Sequence, residues 1–295
     1  MPHAAEHPRT CRGSAASARR RFLAVLLAIC VGFEFPSPTG ASELKQHTAQ
    51  AFDRYVQLTE DRIQSEVADP GNFLHVDSLP EKERDAILER AHSGDVVIEP
   101  MRTLDKGKEI HVPDGLAHHW LAIGFLPGTT IDKAVALAQD YPRHAELYAP
   151  DVQRSRVLAH DGPHFSVYYC FYHHAVVTAV YNTEFSVDYF LPDPSRSYCF
   201  ARAVRIAEVQ NAGNPDEKEL PVGNDHGYMW RLNLYTRYLE KDNGVYVEIE
   251  FVALSRGVPW MFAWLVNPYM RSIPRDYLTN YIHATGKALS AKGPS

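Results

Sequence analysis

From residue 152 onward the chain reads as six extended runs in succession, followed by one amphipathic helix. That order leaves few folds open. The runs are 152–159, 165–172, 175–190, 198–209, 228–240 and 245–256, each rich in β-branched and aromatic residues. Between them stand the turn residues Asp161-Gly162, His173-His174, Pro192-Asp193-Pro194, Gly213-Asn214-Pro215 and Asp242-Asn243-Gly244. An earlier run, 118–126, adds a seventh strand. Antiparallel strands in a meander cannot bury both faces by themselves. Only the C-terminal segment is long enough to fill one side. It is expected as helix from 260 to 266, interrupted at Pro268 and resumed at Pro274, with Tyr277, Leu278, Tyr281, Ile282, Thr285, Ala288 and Leu289 on one face.

Between the first strand and the meander, Thr129 with Asp132 three residues on marks a helix start. Ile131, Ala134, Val135, Ala138 and Tyr141 form its apolar stripe, and Pro142 must break or restart it. Upstream, 43–68 and 80–91 read as two further helices, the second capped by Ser78, and 92–115 as a connector with short extended pieces. The expected class is α+β. A curved antiparallel sheet of seven strands closes around the long C-terminal helix, with an N-terminal helical extension.

The first 41 residues stand apart. Arg19, Arg20 and Arg21 precede the apolar run Phe22 to Phe33, and small residues follow up to Ala41. These are the parts of a secretory signal peptide, and the run is too short to span a bilayer. The chain therefore divides into a signal peptide at 1–41, a helical extension and connector at 42–117, a sheet-and-helix domain at 118–290 and a tail at 291–295. The expected location is the periplasm or the medium, by the general secretory or the twin-arginine route, with no stable membrane insertion after cleavage. Oligomeric state is not legible. Once the leader's five arginines and two glutamates are set aside, 25 basic and 34 acidic residues give a formal net charge of −9. That balance, with no basic block, argues against nucleic acid as a partner. Cys170 and Cys199 fall on strands separated by another, beyond disulfide reach, and are expected as buried free thiols.

The order of elements resembles the START-related superfamily of lipid-transfer domains, polyketide cyclases and the birch-pollen-allergen fold. The resemblance is carried by 130–141, by 228–238 with 244–256, and by 258–260 through 273–275. It extends to uncharacterised exported bacterial members with a similar helical extension. It implies the helix-grip fold, with a deep hydrophobic pocket between sheet and helix, and it implies no particular ligand.

Asn243-Gly244 read as a type I′ turn sets a register in which Tyr238 faces Ile249 and Arg237 faces Glu250. One face of this hairpin is then Trp230, Leu232, Leu234, Tyr238, Val247, Ile249 and Phe251, and the other carries Arg231, Tyr235, Arg237, Glu248 and Glu250. Candidate pocket residues are Trp120, Tyr169, Phe171, Trp230, Leu232, Leu234, Tyr238, Ile249, Phe251, Trp264, Tyr277 and Tyr281. Most large aromatics also suit plain core. Arg237 and Glu250 are candidate polar anchors if their face lines the cavity. An apolar cavity favours the other placement, outside it, solvated or under the N-terminal helices.

Adjacent histidines in a strand point to opposite faces, so neither His118-His119 nor His173-His174 can chelate one metal, and the second pair reads as an exposed turn. No metal site, cofactor or catalytic residue is assigned. Motifs for nucleophilic serine catalysis or phosphate cradling are missing, and Ser155, Ser166 and Ser186 read as ordinary strand residues. Glu184, Asp188 or Glu250 with a tyrosine could form an acid–base pair. The leading expectation is an exported carrier or sensor of a hydrophobic small molecule or lipid. The alternatives are a cyclase- or hydrolase-type enzyme using a pocket carboxylate or tyrosine, and a structural protein with a closed cavity.

Overall fold

The computed structural model describes residues 42–174, 178–257 and 260–291, and gives the backbone alone at 174 and 260–273. The expected leader and the end of the tail lie outside the described residues.

Helix α1 spans Gln46–Ala68 because Phe52, Tyr55, Thr59, Ile63 and Val67 recur at helical spacing and share one buried face. It stops at Asp69, whose carboxylate accepts from the Gly71 amide at 2.9 Å. Helix α2, Glu81–His92, starts from Pro80 rather than from Ser78. Ser78 is spent in the preceding turn, where its hydroxyl donates to the His75 carbonyl. The connector then contributes strand β1, Val97–Pro100. Strand β2 is Gly115–Pro127, α3 is Ile131–Gln139 and the short α4 is His144–Leu147. Pro142 sits in a 3-10 turn between these helices, the break its missing amide requires. The start of α3 is capped from outside: Glu240 accepts from the Ile131 amide at 2.7 Å, while Thr130 makes no side-chain cap.

Strands β3 (Val152–Asp161), β4 (His164–His174), β5 (Thr178–Asp193), β6 (Arg196–Gln210), β7 (Arg231–Lys241) and β8 (Gly244–Arg256) follow. The expected His173-His174 turn is instead the end of β4, which runs to His174; residues 175–177 lie outside the described residues. The antiparallel order is β1-β2-β8-β7-β6-β5-β4-β3, and Lys218–Glu219 pairs with β6 to make nine strands. The two strands beyond the expected seven are short pieces without an alternating pattern of their own. Helix α5 runs from Trp260 to Ser290 without the expected interruption at Pro268. A proline deletes one helical hydrogen bond, and the neighbouring turns carry the helix past it.

The sheet is apolar on both sides. Its concave side packs against α3 and α5 through Ala122, Leu126, Val247, Ile249, Leu278 and Ile282. Helix and sheet meet closely at Gly124, where a Cβ would stand 2.6 Å from the Ile282 Cγ2. The convex side carries α1 and α2 through Phe52, Tyr55, Leu121, Ile123, Tyr235 and Val252. The N-terminal helices therefore cover the sheet's outer face. Among the described residues no helix is long and apolar enough to cross a membrane.

The β7–β8 register differs by two residues from expectation. Lys241 faces Gly244, Tyr238 faces Val247 and Arg237 faces Glu248. The two loop residues are Asp242 and Asn243, both at positive φ of 56° and 60°, so the tight turn sits one position earlier than the Asn-Gly reading placed it. A shift of two keeps every side chain on its expected face, because strand side chains alternate with period two.

On the outer face Arg237, Glu248 and Glu250 are each 1% exposed, beneath α1. Arg237 donates to Glu248 at 2.9 Å and to Glu250 at 2.7 Å, and it lies 2.8 Å from Glu66 of α1. Arg62 of α1 bridges Glu66 and Glu250. Glu248 also accepts from the His75 and Val76 amides. Tyr55 takes the Thr103 amide and gives its own proton to His119 Nδ1, which leaves His119 Nε2–H to donate to Glu250 at 2.9 Å. Burial alone would raise the Glu250 carboxyl. The His119 bond and the Arg62 and Arg237 charges more than offset that and hold it well below the usual carboxylate range.

Removing one member strands the others in a dry site. Arg237→Ala leaves three carboxylates facing Arg62, and should lower unfolding free energy by about 3–5 kcal/mol at pH 7 in urea titration. The deficit should shrink toward pH 5 as the unpaired carboxyls take up protons. A loss below about 1 kcal/mol would show that the network does not hold α1 to the sheet.

Candidate functional site

Between the concave face and α5 lies a cavity whose floor is built by strand alternation. Odd positions of β5 bring Phe185, Val187 and Tyr189 inward, odd positions of β6 bring Cys199 and Ala201, and even positions of β7 bring Leu234, Thr236 and Tyr238. Tyr277, Leu278 and Tyr281 of α5 form the roof, and Tyr141, His144 and Tyr148 close one side. The atom-free space is about 700 Å³, part of it open to solvent, and about 80 Å³ can hold the centre of a water molecule.

Of the sequence candidates, Tyr169, Leu234, Tyr238, Ile249, Tyr277 and Tyr281 line this space. Trp120, Phe171, Leu232 and Phe251 pack in the same concave core without lining it. Trp230 is misplaced: it precedes β7, packs in the outer core and donates its indole proton to Asp225 at 3.2 Å. Alternation does not reach it, because the strand begins at Arg231. Trp264 falls on the first half of α5, where side chains lie outside the described residues. Arg237 and Glu250 point to the convex side and are not anchors in the cavity.

Twelve lining residues were missed, among them Tyr141, His144, Tyr148, Tyr189, Cys199 and Thr236. Tyr189 continues the odd row of β5 and Thr236 lies between Leu234 and Tyr238, so the period of two would have found both. Tyr141, His144 and Tyr148 stand three and four apart, helical spacing across a segment that Pro142 disguises.

Seven lining side chains are tyrosines, and among the described residues none is charged at neutral pH. Most of the hydroxyl protons are committed. Tyr189 donates to the Ala138 carbonyl at 3.2 Å, so Tyr141 donates to Tyr189 at 2.9 Å. Thr285 donates to the Tyr281 carbonyl, so Tyr148 donates to Thr285 at 3.1 Å. His144 Nε2 faces the Leu137 carbonyl at 3.3 Å and therefore carries the ring proton. Its Nδ1 accepts from Tyr169 at 2.7 Å. Burial pushes His144 down to about 4, and it keeps the ring neutral at pH 7. The Tyr169 oxygen, its proton spent on His144, is left as an acceptor. Tyr277, at the roof, makes no hydrogen bond to the described residues and is free to donate. Rings stack as well, Tyr148 on Tyr281 at 4.6 Å between centroids.

This arrangement can enclose an apolar ring or chain and offer it a few neutral donors and acceptors. Among the described lining residues no carboxylate, lysine or ionised thiol is present at neutral pH. Burial pushes the Cys199 thiol up to about 12, and the Tyr169, Tyr189, Tyr238 and Tyr281 hydroxyls well above their ordinary values. The carboxylates considered for acid–base work lie elsewhere. Glu184 and Asp188 occupy even, outward positions of β5, where Glu184 lies near Arg205 and Asp188 accepts from His164 at 2.7 Å. Glu250 belongs to the convex network. Cys170 and Cys199 are free and buried, on β4 and β6 with β5 between them, as expected. Among the described residues no group of three His, Cys, Asp or Glu is placed to hold a metal ion.

No family model matches the chain, and no curated protein matches it. Solved structures similar to it include START/lipid-transfer and aromatase/cyclase proteins. One is a STAR-related lipid transfer protein fragment from Xanthomonas axonopodis, at 14% identity and TM-score 0.43, over 65% of this chain and 98% of that one. Another is the ZhuI aromatase/cyclase of a Streptomyces species, at 11% and 0.42, over 61% and 100%. A third is human STARD10, at 8% and 0.41, over 72% and 80%. The helix-grip assignment rests on the strand order and closing helix described above.

Two histidines on the concave side, His118 and His144, are each pushed down to about 4 by burial. Below pH 6.5 the unfolded chain binds protons that the folded one refuses. Their contribution is therefore complete above about pH 6.5 and is lost progressively as pH falls toward 4. His144→Gln should flatten the fall in unfolding free energy between pH 6.5 and 4.5 by up to about 1.4 kcal/mol per pH unit, measured by urea titration. An unchanged slope would show that His144 titrates normally in the folded state.

Proposed function

We propose that the protein binds one uncharged, largely apolar small molecule in the cavity between sheet and α5, as a carrier or sensor. The observation that carries this reading is the cavity itself: a tyrosine-lined space without a charged side chain among the described residues, most of whose hydroxyl protons are already committed to protein acceptors. The cavity's enclosed volume of about 80 Å³ is below the roughly 300–1,000 Å³ that drug-sized ligands occupy, so a ligand of that size requires α5 or the lining rings to move apart. Affinity would come from apolar burial at about 25 cal/mol per Å², and orientation from the Tyr169 oxygen and the Tyr277 hydroxyl. A charged ligand would lose its hydration here with no opposite charge to replace it.

A carrier reading is preferred to an enzyme reading because the candidate carboxylates lie on the convex side and the cavity thiol and tyrosines are held protonated. It is preferred to a closed structural core because the space admits water-sized atoms. Export belongs to the same proposal. The basic residues, apolar run and small-residue exit of 1–41 support release into the periplasm or medium, where an apolar molecule needs a soluble escort.

Native mass spectrometry of the protein recovered from its own host should show a neutral adduct released on collisional activation. Ala201→Phe, which puts a ring into the cavity, should abolish the adduct with the thermal unfolding midpoint kept within a few degrees. A bare wild-type mass, or an adduct that survives Ala201→Phe, would contradict the reading.

A further inference from the structure

The odd row of β5 does not stop where the cavity does. Beyond Phe185 it continues to Thr183 and Tyr181, which are 0% and 5% exposed. Thr183 lies directly across from Tyr169, a cavity wall, and from Ile206, and Tyr181 lies across from Phe171 and Glu208. Such cross-strand neighbours share a face, with Cβ atoms about 4.5–5.5 Å apart. The Thr183 and Tyr181 hydroxyls are both buried and neither has a hydrogen-bond partner among the described residues.

A buried orphan hydroxyl costs about 1–3 kcal/mol, and two on adjacent inward positions are unusual. The neighbouring polar groups are, by contrast, satisfied. Glu208 accepts from the His226 amide at 3.1 Å and meets its ring nitrogen at 2.6 Å. Asp225 accepts from the Gly227 amide at 2.6 Å and from Trp230. At this end of the concave face the Tyr181 and Thr183 hydroxyls keep protons that no described residue accepts.

We infer that Tyr181 and Thr183 form the polar end of the ligand site and bind a neutral oxygen, a ketone, aldehyde or alcohol, at one end of the apolar molecule. This rests on the binding function proposed above and names the chemical class it takes. Two O–H donors on neighbouring strand positions suit the two lone pairs of one carbonyl oxygen. A carboxylate or phosphate is disfavoured there, because the charges acting on Tyr181 are those of Glu208 and Asp225, both negative. The same charges, after burial itself, keep the Tyr181 hydroxyl protonated and so a donor.

9-Fluorenone and fluorene have nearly the same shape and differ by one carbonyl oxygen, so their affinities for the full chain, measured by isothermal titration calorimetry, isolate the proposed contact. Wild type should prefer fluorenone by about fivefold or more. Tyr181→Phe with Thr183→Val should bring the two probes within about twofold and leave fluorene unchanged. Neither substitution removes a protein hydrogen bond, so the ligand-free melting midpoint should hold or rise, and each single variant should lose part of the preference if the pair folds poorly. No preference in wild type, or one that survives the double substitution, overturns this inference while binding of both probes leaves the carrier reading standing. A lowered midpoint with the preference intact assigns the hydroxyls to a structural water and overturns it as well. Failure of both probes to bind wild type removes the carrier reading and this inference with it.

Discussion

The structure depends on a sheet that is apolar on both faces. A single antiparallel layer of this kind has no stable existence in water, and each face needs its own cover. On the concave side the cover is α5 with α3, held so close at Gly124 that a Cβ there would force Ile282 to shift. On the convex side it is α1 and α2, locked by the network of Arg62, Glu66, Arg237, Glu248 and Glu250. The two covers differ in kind. The convex one is filled and pinned by charge-assisted bonds, whereas the concave one leaves space. That asymmetry puts the ligand site on one side and explains why the most conspicuous charges of the chain take no part in it.

Much of this was legible because strand alternation is robust. The β7–β8 turn lies one residue earlier than the Asn-Gly pair suggested, and Arg237 stands across from Glu248 rather than Glu250, though it bonds both carboxylates. Every face assignment within the strands survived, since the displacement was an even number of residues. Leu234, Tyr238 and Ile249 therefore kept the face that alternation gave them, while the existence of a cavity on that face was implied by the family resemblance and not by periodicity. Trp230 failed because it stands just outside the strand, where alternation has no authority.

Other features were beyond the reach of local pattern. The short strands at Val97–Pro100 and Lys218–Glu219 join the sheet through partners distant in sequence and carry no alternation of their own. The depth of the charged network follows from α1 lying over it, a tertiary fact that turns a pair expected in solvent or under a cover into a fully buried one. The Glu240 cap on α3 is likewise a contact across more than a hundred residues. The tyrosines of the α3–α4 segment escaped because Pro142 splits their helical spacing. The orphan hydroxyls of Tyr181 and Thr183 emerge only once every neighbouring donor and acceptor is accounted for.

The central claim is that an uncharged molecule binds on the concave side and nowhere else. It is tested most directly by ¹⁹F NMR of protein labelled with 3-fluorotyrosine and titrated with 9-fluorenone. The account predicts that resonances of Tyr169, Tyr238, Tyr277 and Tyr281 move together and saturate, while those of Tyr55, Tyr235 and Tyr246 on the convex side stay fixed. Shifts at the convex tyrosines, or none at the cavity tyrosines, would contradict it.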